Sequence, residues 1–274
     1  MIRDITIGQY YPAKSLLHRL DPRVKLVATV LYLISLFLFR NISGYIVATI
    51  FLVTVIRLSK VPFKYIMRGM KPIIMILMIT LLFNLFLTRD GDIIFQIWKI
   101  SITEGGVRNA VFMAMRLIYL IAGSSLMTFT TTPNELTDGI ESLLKPLNKV
   151  HVPVHEIAMM MSIALRFIPI LLEETDKIMK AQIARGADLE SGNMLEKAKA
   201  MVPILVPLFV SAFRRANDLA MAMEARCYRG GEGRTKMNPL KYHSRDYVAY
   251  MMMIVYMAAI VLVGRFVSIH IWVF

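Results

Sequence analysis

Residues 180–186 read Lys180-Ala181-Gln182-Ile183-Ala184-Arg185-Gly186, and residues 221–231 read Met221-Ala222-Met223-Glu224-Ala225-Arg226-Cys227-Tyr228-Arg229-Gly230-Gly231. Each closes a long stretch of helical composition, and each closes it on Ala-Arg followed by a small residue. A cation at a helix C-terminus gains about 0.3–1 kcal/mol from the helix dipole, which alone would suit Arg185 and Arg226 to capping positions. Repetition on two long helices points further. Small neighbours let such a tip enter a groove, and a guanidinium grips carboxylates or carbonyls with a rigid fork. Two similar tips match a partner with two similar sockets.

Working outward, the first of these helices is predicted from Pro153 to Arg185, kinked at Pro169 and ended by a left-handed Gly186. The second starts at Asn193, with Glu196 in the capping-box place, and runs toward Arg226 with bends at Pro203 and Pro207. Upstream, Thr132-Pro133-Asn134-Glu135 is a further helix start, with Thr132 as N-cap and Glu135 reaching back. Leu136, Ile140, Leu143, Leu144, Leu147 and Val150 then recur at helical spacing, an amphipathic helix for an interface or a partner.

The rest of the chain is apolar. Hydrophobic residues make up 57% of the 274, above the roughly 45–50% of soluble domains, so a membrane class is the first reading. Apolar runs at residues 24–39, 42–56, 73–87, 107–129 and 247–267 are the candidate spans. The first three fall near or below the roughly 17–25 residues of a straight crossing, so tilt, snorkelling flanks or re-entry are expected there. Arg3, Lys14, Arg19, Arg23 and Lys25 precede the first run, and Arg57, Lys60, Lys64, Arg68 and Lys71 separate the second from the third. The alternate loops carry only Arg40, then Arg89, Lys99 and Arg108. The positive-inside rule then puts the N-terminus in the cytoplasm and the C-terminus outside. Residues 154–172 are apolar enough to pass for another span. A crossing there would carry Lys177, Lys180, Arg185, Lys197 and Lys199 outside, so both long helices are kept on the cytoplasmic side.

The expected fold is all-α: a polytopic helical membrane protein with about five transmembrane helices and a cytoplasmic coupling domain of amphipathic and long crossing helices. Residues 1–129 form the N-terminal membrane domain, 130–246 the coupling domain and 247–274 the C-terminal span. Residues 8–26 read as a basic interfacial anchor with snorkelling Arg and Lys, Asp21-Pro22 marking a turn or helix start. No cleavable signal peptide is expected in Met1–Asp21, and Gly230–Lys236 reads as a linker.

Several chemistries are disfavoured. The formal charge of +13 invites nucleic acid, a membrane surface or an acidic protein, but the cations are scattered between apolar runs, which argues against nucleic acid. A single cysteine, Cys227, leaves no internal disulfide framework and no cysteine-based metal cluster. No phosphate loop is present, and the glycines at 230, 231 and 233 lack its spacing, so no ATP or other cofactor is expected on this chain. His151 and His155 sit four apart like metal ligands, yet Pro153 lies between them and carboxylates are few, so no metal site is expected. Asn134 with Asp138 echoes the acidic motifs of membrane prenyl transferases, without a second copy. The five runs contain no Asp or Glu, so a carrier built on a proton relay has no carboxylate. Arg116 stands inside a run, facing either the bundle or a partner.

The stretches Leu17-His18-Arg19-Leu20-Asp21-Pro22-Arg23-Val24-Lys25-Leu26, Leu165-Arg166-Phe167-Ile168-Pro169, Ala184-Arg185-Gly186 and Ala222-Met223-Glu224-Ala225-Arg226, extended by Tyr228 to Thr235, together resemble a known family. It is the transmembrane T component (EcfT) of energy-coupling factor transporters, the scaffold of bacterial vitamin and micronutrient importers. The resemblance implies a non-enzymatic subunit of the bacterial cell membrane. Two cytoplasmic ABC-type ATPases would use ATP and magnesium and receive the coupling residues Ala184, Arg185, Gly186, Ala225, Arg226 and Cys227. The long helices would cross and transmit ATPase closure to a separate substrate-binding S component. Cys227 departs from the second motif, where glycine is usual. Met159, Met160, Met161 and Met201, adaptable side chains suited to repacking, are the candidate surface for one or more S components. The alternatives are a dedicated component for cobalt, nickel or biotin, a secondary carrier, and a membrane enzyme of the prenyl transferase kind.

Overall fold

The computed structural model describes residues 10–39, 41–87, 93–97, 100–187, 193–231 and 237–266. Arg3, Arg40, Arg89 and Lys99 of the charge pattern, and residues 232–236 of the expected linker, lie outside them. Proline at the first helical position and a carboxylate before it start α1 (Pro22–Leu38), with Asp21 as N-cap. α2 (Ile42–Ser59) follows and closes on a left-handed Lys60. Next come α3 (Phe63–Met70), the strongly apolar α4 (Ile74–Leu87), β1 (Ile93–Ile97), β2 (Ile100–Thr103), and α5 (Glu104–Thr130) capped by Thr103. The chain continues with α6 (Pro133–Leu144), α7 (Val154–Ala184), α8 (Met194–Ala225) and α9 (Ser244–Phe266).

The fold is helical, as expected, with one addition. β1 and β2 pair antiparallel, Ile97 opposite Ile100 and Phe95 opposite Ile102, in a loop where no element was expected. By length and composition α2, α5, α7 and α9 can each cross a membrane, and α3 with α4, bent by 62°, can form a broken span or a re-entrant loop. α1 has 17 residues, roughly 26 Å at about 1.5 Å per residue, the short end of a crossing. The capping box before α6 is complete: Glu135 N–H donates to Thr132 Oγ1 at 3.3 Å, and Thr132 N–H donates to Glu135 Oε2 at 3.2 Å. α6 stops at Leu144, earlier than its apolar spacing suggests, because Lys145-Pro146 turns the chain into a 3-10 segment that ends on a left-handed His151.

The chain divides into two compact units, one from the start of the described residues to Gly139 together with Leu240 onward, the other from Ile140 to Pro239. Aromatic rings dominate the core of the first. Phe51 stacks on Tyr256 with centroids 4.0 Å apart, and Tyr45 stacks on Phe112 at 5.2 Å. Hydroxyls in an apolar bundle have no water to bond, so they find protein. Tyr45 donates to Phe112 O at 3.0 Å, Tyr32 to Tyr119 O at 3.3 Å, and Tyr256 Oη lies 2.8 Å from Ser35 Oγ. Arg116 faces this bundle. Its Nη2 makes a long bond of 3.5 Å to Phe39 O, just past the end of α1, and its guanidinium lies 5.4 Å from the Phe37 ring.

Residues 8–26, expected as a snorkelling anchor, instead fold inward as a polar latch over residues 11–25. Lys25 is 7% exposed, and its Nζ donates to Thr130 O at 2.8 Å and His18 O at 3.2 Å. His18 in turn lies 2.9 Å from Tyr11 O through Nε2 and 2.6 Å from Ser15 Oγ through Nδ1. Asp246, wholly buried at the start of α9, accepts from Asp21 N–H at 2.9 Å and from His243 N–H at 2.7 Å. Asp21 accepts from Arg23 N–H at 2.9 Å and from the Arg23 guanidinium at 3.0 and 2.8 Å, while that guanidinium lies over the Tyr242 ring at 3.9 Å. Burial pushes the Asp21 carboxyl up, but the hydrogen bonds and charge of Arg23 outweigh it and hold the group below its ordinary value. Lys25 points inward to the Thr130 and His18 carbonyls and Arg23 to the Asp21 carboxylate, groups that must be satisfied without water, while Lys14 and Arg19 stay exposed as expected.

Asp246→Ala leaves two backbone donors without an acceptor. We expect it to destabilise the membrane unit by about 2–4 kcal/mol, seen as a lowered melting temperature in detergent, and Asp246→Asn to recover part of the loss.

Candidate coupling site at two helix tips

α7 and α8 run unbroken through Pro169, Pro203 and Pro207 and end on the two Ala-Arg motifs, with Arg185 and Arg226 as C-caps. The first cap closes in two bonds. Gly186 N–H donates to Ile183 O at 2.9 Å, and Ala187 N–H donates to Gln182 O at 3.0 Å. The second repeats it residue for residue: Cys227 N–H to Glu224 O at 2.8 Å, and Tyr228 N–H to Met223 O at 3.0 Å. Both are Schellman motifs, which need a left-handed residue directly after the C-cap. Gly186 supplies it with φ of 88°, as its sequence position predicts. Cys227 adopts the same conformation with φ of 56°. The departure from glycine therefore leaves the helix ending unchanged and costs backbone strain of about 1–2 kcal/mol. Arg185, Gly186, Arg226 and Cys227 are all exposed, as are Ala184 and Ala225, and nothing lies within 4 Å of where a Gly186 side chain would start.

The helices meet antiparallel. Pro207 has no N–H, so the Pro203 carbonyl loses its helical donor. Gln182 Nε2 takes that place from α7 at 3.3 Å. Farther along, Arg215 Nη2 pairs with Glu174 Oε2 at 3.4 Å. Beyond the second tip, Gly231 lies so close to the His155 ring that a Cβ there would collide with it, and His155 Nδ1 lies 2.9 Å from Glu141 Oε1. His155 thus packs the tip's tail against the start of α7, while His151 caps a turn. Glu174 lies as far before Arg185 as Arg215 lies before Arg226. Each arm is roughly 16 Å at about 1.5 Å per residue, so the tips stand on the order of 30 Å apart, at opposite ends of the pair.

Met160, Met161 and Met201 are exposed, and Met159 is half-buried. A larger surface went unpredicted. Val202, Val206, Phe209, Val210 and Phe213 on α8 are exposed at helical spacing and form one apolar stripe that continues from Met201. The contacts of Gln182, Glu174 and Arg215 were also missed; Pro203 and Pro207, four apart, are the signal that marks a freed carbonyl.

Residues 13–237 match the family model described as cobalt transport protein. A protein of Clostridium kluyveri named energy-coupling factor transporter transmembrane protein EcfT is 58% identical over 91% of this chain and 93% of its own length. Proteins of the same name from Thermosediminibacter oceani and Bacillus subtilis are 52% and 53% identical, over 99% and 90% of this chain and 100% and 93% of their own lengths.

The two caps make opposite predictions. Gly186→Ala, which has room but the wrong φ, costs about 1 kcal/mol, and Cys227→Gly gains up to about the same. Amide exchange at Ala187 and Tyr228, whose N–H groups close the caps, reads each change as about a fivefold shift in rate.

Proposed function

The chain belongs to the EcfT family, the transmembrane components of energy-coupling factor transporters, and from that membership we propose that its two Ala-Arg tips dock two cytoplasmic ABC-type ATPases. It is a non-catalytic, multi-pass subunit of the cell membrane. In the proposed assembly the ATPases bind ATP and magnesium, and a membrane-embedded S component binds the vitamin or micronutrient. The observation that carries the proposal is the identity of the two caps. Arg185 and Arg226 leave their helices from the same backbone geometry, which suits the two equivalent grooves of an ATPase dimer. The equal arms about Glu174 and Arg215 support the same reading. When the sockets approach each other, tips on opposite arms convert that closure into rotation of one helix against the other.

The apolar stripe on α8 and the exposed methionines of α7 supply the surface for the S component. Methionine tolerates repacking, which favours a scaffold shared among several S components. A second reading, a component dedicated to cobalt, rests on the description of the matching family model. Co-purification separates them, since a dedicated component brings down one S protein under every nutrient limitation.

Arg185→Ala combined with Arg226→Ala should leave a membrane-inserted chain that no longer assembles with ATPases or supports ATP-driven uptake. Each lost charge-assisted contact is worth about 2–5 kcal/mol if buried in its socket. Normal uptake with ATPases still bound would remove the tips from the mechanism. Orientation has a built-in probe, because the chain's single cysteine is exposed at the second tip. A membrane-impermeant maleimide should label Cys227 in inverted vesicles and spare it in intact cells.

A further inference from the structure

We infer that the membrane unit holds one anionic phospholipid, with an acyl chain inside an apolar cavity between α1, α2, α5 and α9 and its headgroup at Arg245. The cavity has a volume of about 330 Å³ and is walled chiefly by Leu, Val, Ala, Met and Phe side chains. It runs from Arg245 to Met253 along α9 and from Val24 to Tyr32 along α1, a depth of roughly 12 Å at about 1.5 Å per residue. A volume of this size along that depth accommodates a stretch of hydrocarbon chain.

Water is disfavoured by the walls. Four of the polar residues that line the cavity already spend their polar atoms on backbone carbonyls. Lys25 Nζ donates to Thr130 O and His18 O, Thr29 Oγ1 to Lys25 O at 2.7 Å, Thr130 Oγ1 to Leu126 O at 2.8 Å, and Tyr32 Oη to Tyr119 O. A buried water needs two to four polar partners, and these walls do not supply them. Left empty, a void of this size would forfeit dispersion contact along every wall.

The fifth polar wall residue, Arg245, decides the headgroup. It lies in the first turn of α9, next to the wholly buried Asp246, and is itself exposed. The same end of the unit carries Arg19, Arg23, Lys25 and the start of α1, held there by the latch bonds to Asp246 and Thr130. An apolar slot with a guanidinium at one end is complementary to a molecule that carries an acyl chain below an anionic headgroup. In a chain that crosses a membrane that molecule is an anionic phospholipid.

The test uses the full chain purified in detergent and examined by native mass spectrometry with added phosphatidylglycerol or phosphatidylcholine of identical acyl chains. We expect one phospholipid retained per chain, with phosphatidylglycerol favoured by about fivefold, the effect of one basic side chain near a lipid anion. Ala249→Phe, which projects a ring into the cavity, should lose the retained lipid; Ala28→Phe does the same from the facing wall should the first variant fail to fold. Arg245→Gln, at an exposed position, should keep a bound lipid and lose the preference between headgroups. Undiminished lipid in a folded cavity-filling variant, or an unchanged headgroup preference in Arg245→Gln, would overturn the inference.

Discussion

Asp246 is a carboxylate with no exposed surface, and its two oxygens are shared between the backbone of Asp21 and the backbone of His243. Those bonds join the start of the last helix to the start of the first. Lys25 then ties the first helix to the end of α5 through the Thr130 carbonyl. Three helix ends that are distant in sequence are thereby held at one level. The arrangement is costly to break because Asp21, Lys25, Thr130 and Asp246 are all buried. It also orders the aromatic core above it, since Tyr32, Ser35 and Tyr256 stand two to three turns further along the same helices. A membrane bundle gains little from apolar burial against lipid, so polar contacts of this kind carry more of its specificity than they would in water.

Much of this was legible in the residues, and what was not has physical reasons. Apolar runs located α1, α2, α5 and α9, and Asp21-Pro22, Thr132-Pro133 and Asn193 each started a helix where capping chemistry puts one. The latch was misread because Arg and Lys beside a membrane usually snorkel outward. The reversal of Lys25 depends on Thr130, more than a hundred residues away, and no local pattern carries such a pairing. The break between α3 and α4 lies at Lys71-Pro72, a visible signal, but its angle of 62° is not one that a proline alone specifies. The β-hairpin was missed because it occupies a connection between two apolar runs that dominate the reading of that region.

The tips show the same division. Gly186 announced a left-handed cap; Cys227 gave no such signal, and only the repeated Ala-Arg before it suggested an equivalent ending. Geometry resolves the pair: the two bonds of the Schellman motif form at Cys227 with lengths within a tenth of an ångström of those at Gly186. A thiol is among the smaller side chains that this backbone can accept at a tolerable cost, and it stays exposed. The price in strain falls on one residue, while the direction in which Arg226 leaves the helix is preserved. That direction, rather than the identity of the following residue, is what a shared socket would read.

The prolines of α8 join tip and arm in one device. A helix that merely had to be long would avoid Pro203 and Pro207, each of which removes a backbone donor. Here the carbonyl freed by the second proline is bonded by Gln182, three residues before Arg185. The first tip is therefore anchored to the first third of the other helix, not only to its own. The second tip is anchored differently, by Gly231 against the His155 ring at the start of α7. Each tip thus bears on the opposite helix near its own end, and Glu174 and Arg215 meet between them at equal distance from both. Their half-exposed ion pair is weak enough to slide, while the two end contacts are built from backbone and close packing. For the crossing angle to change about that central pair, the end contacts must give, so the Gln182–Pro203 bond and the Gly231–His155 packing set the resistance that the proposed coupling works against.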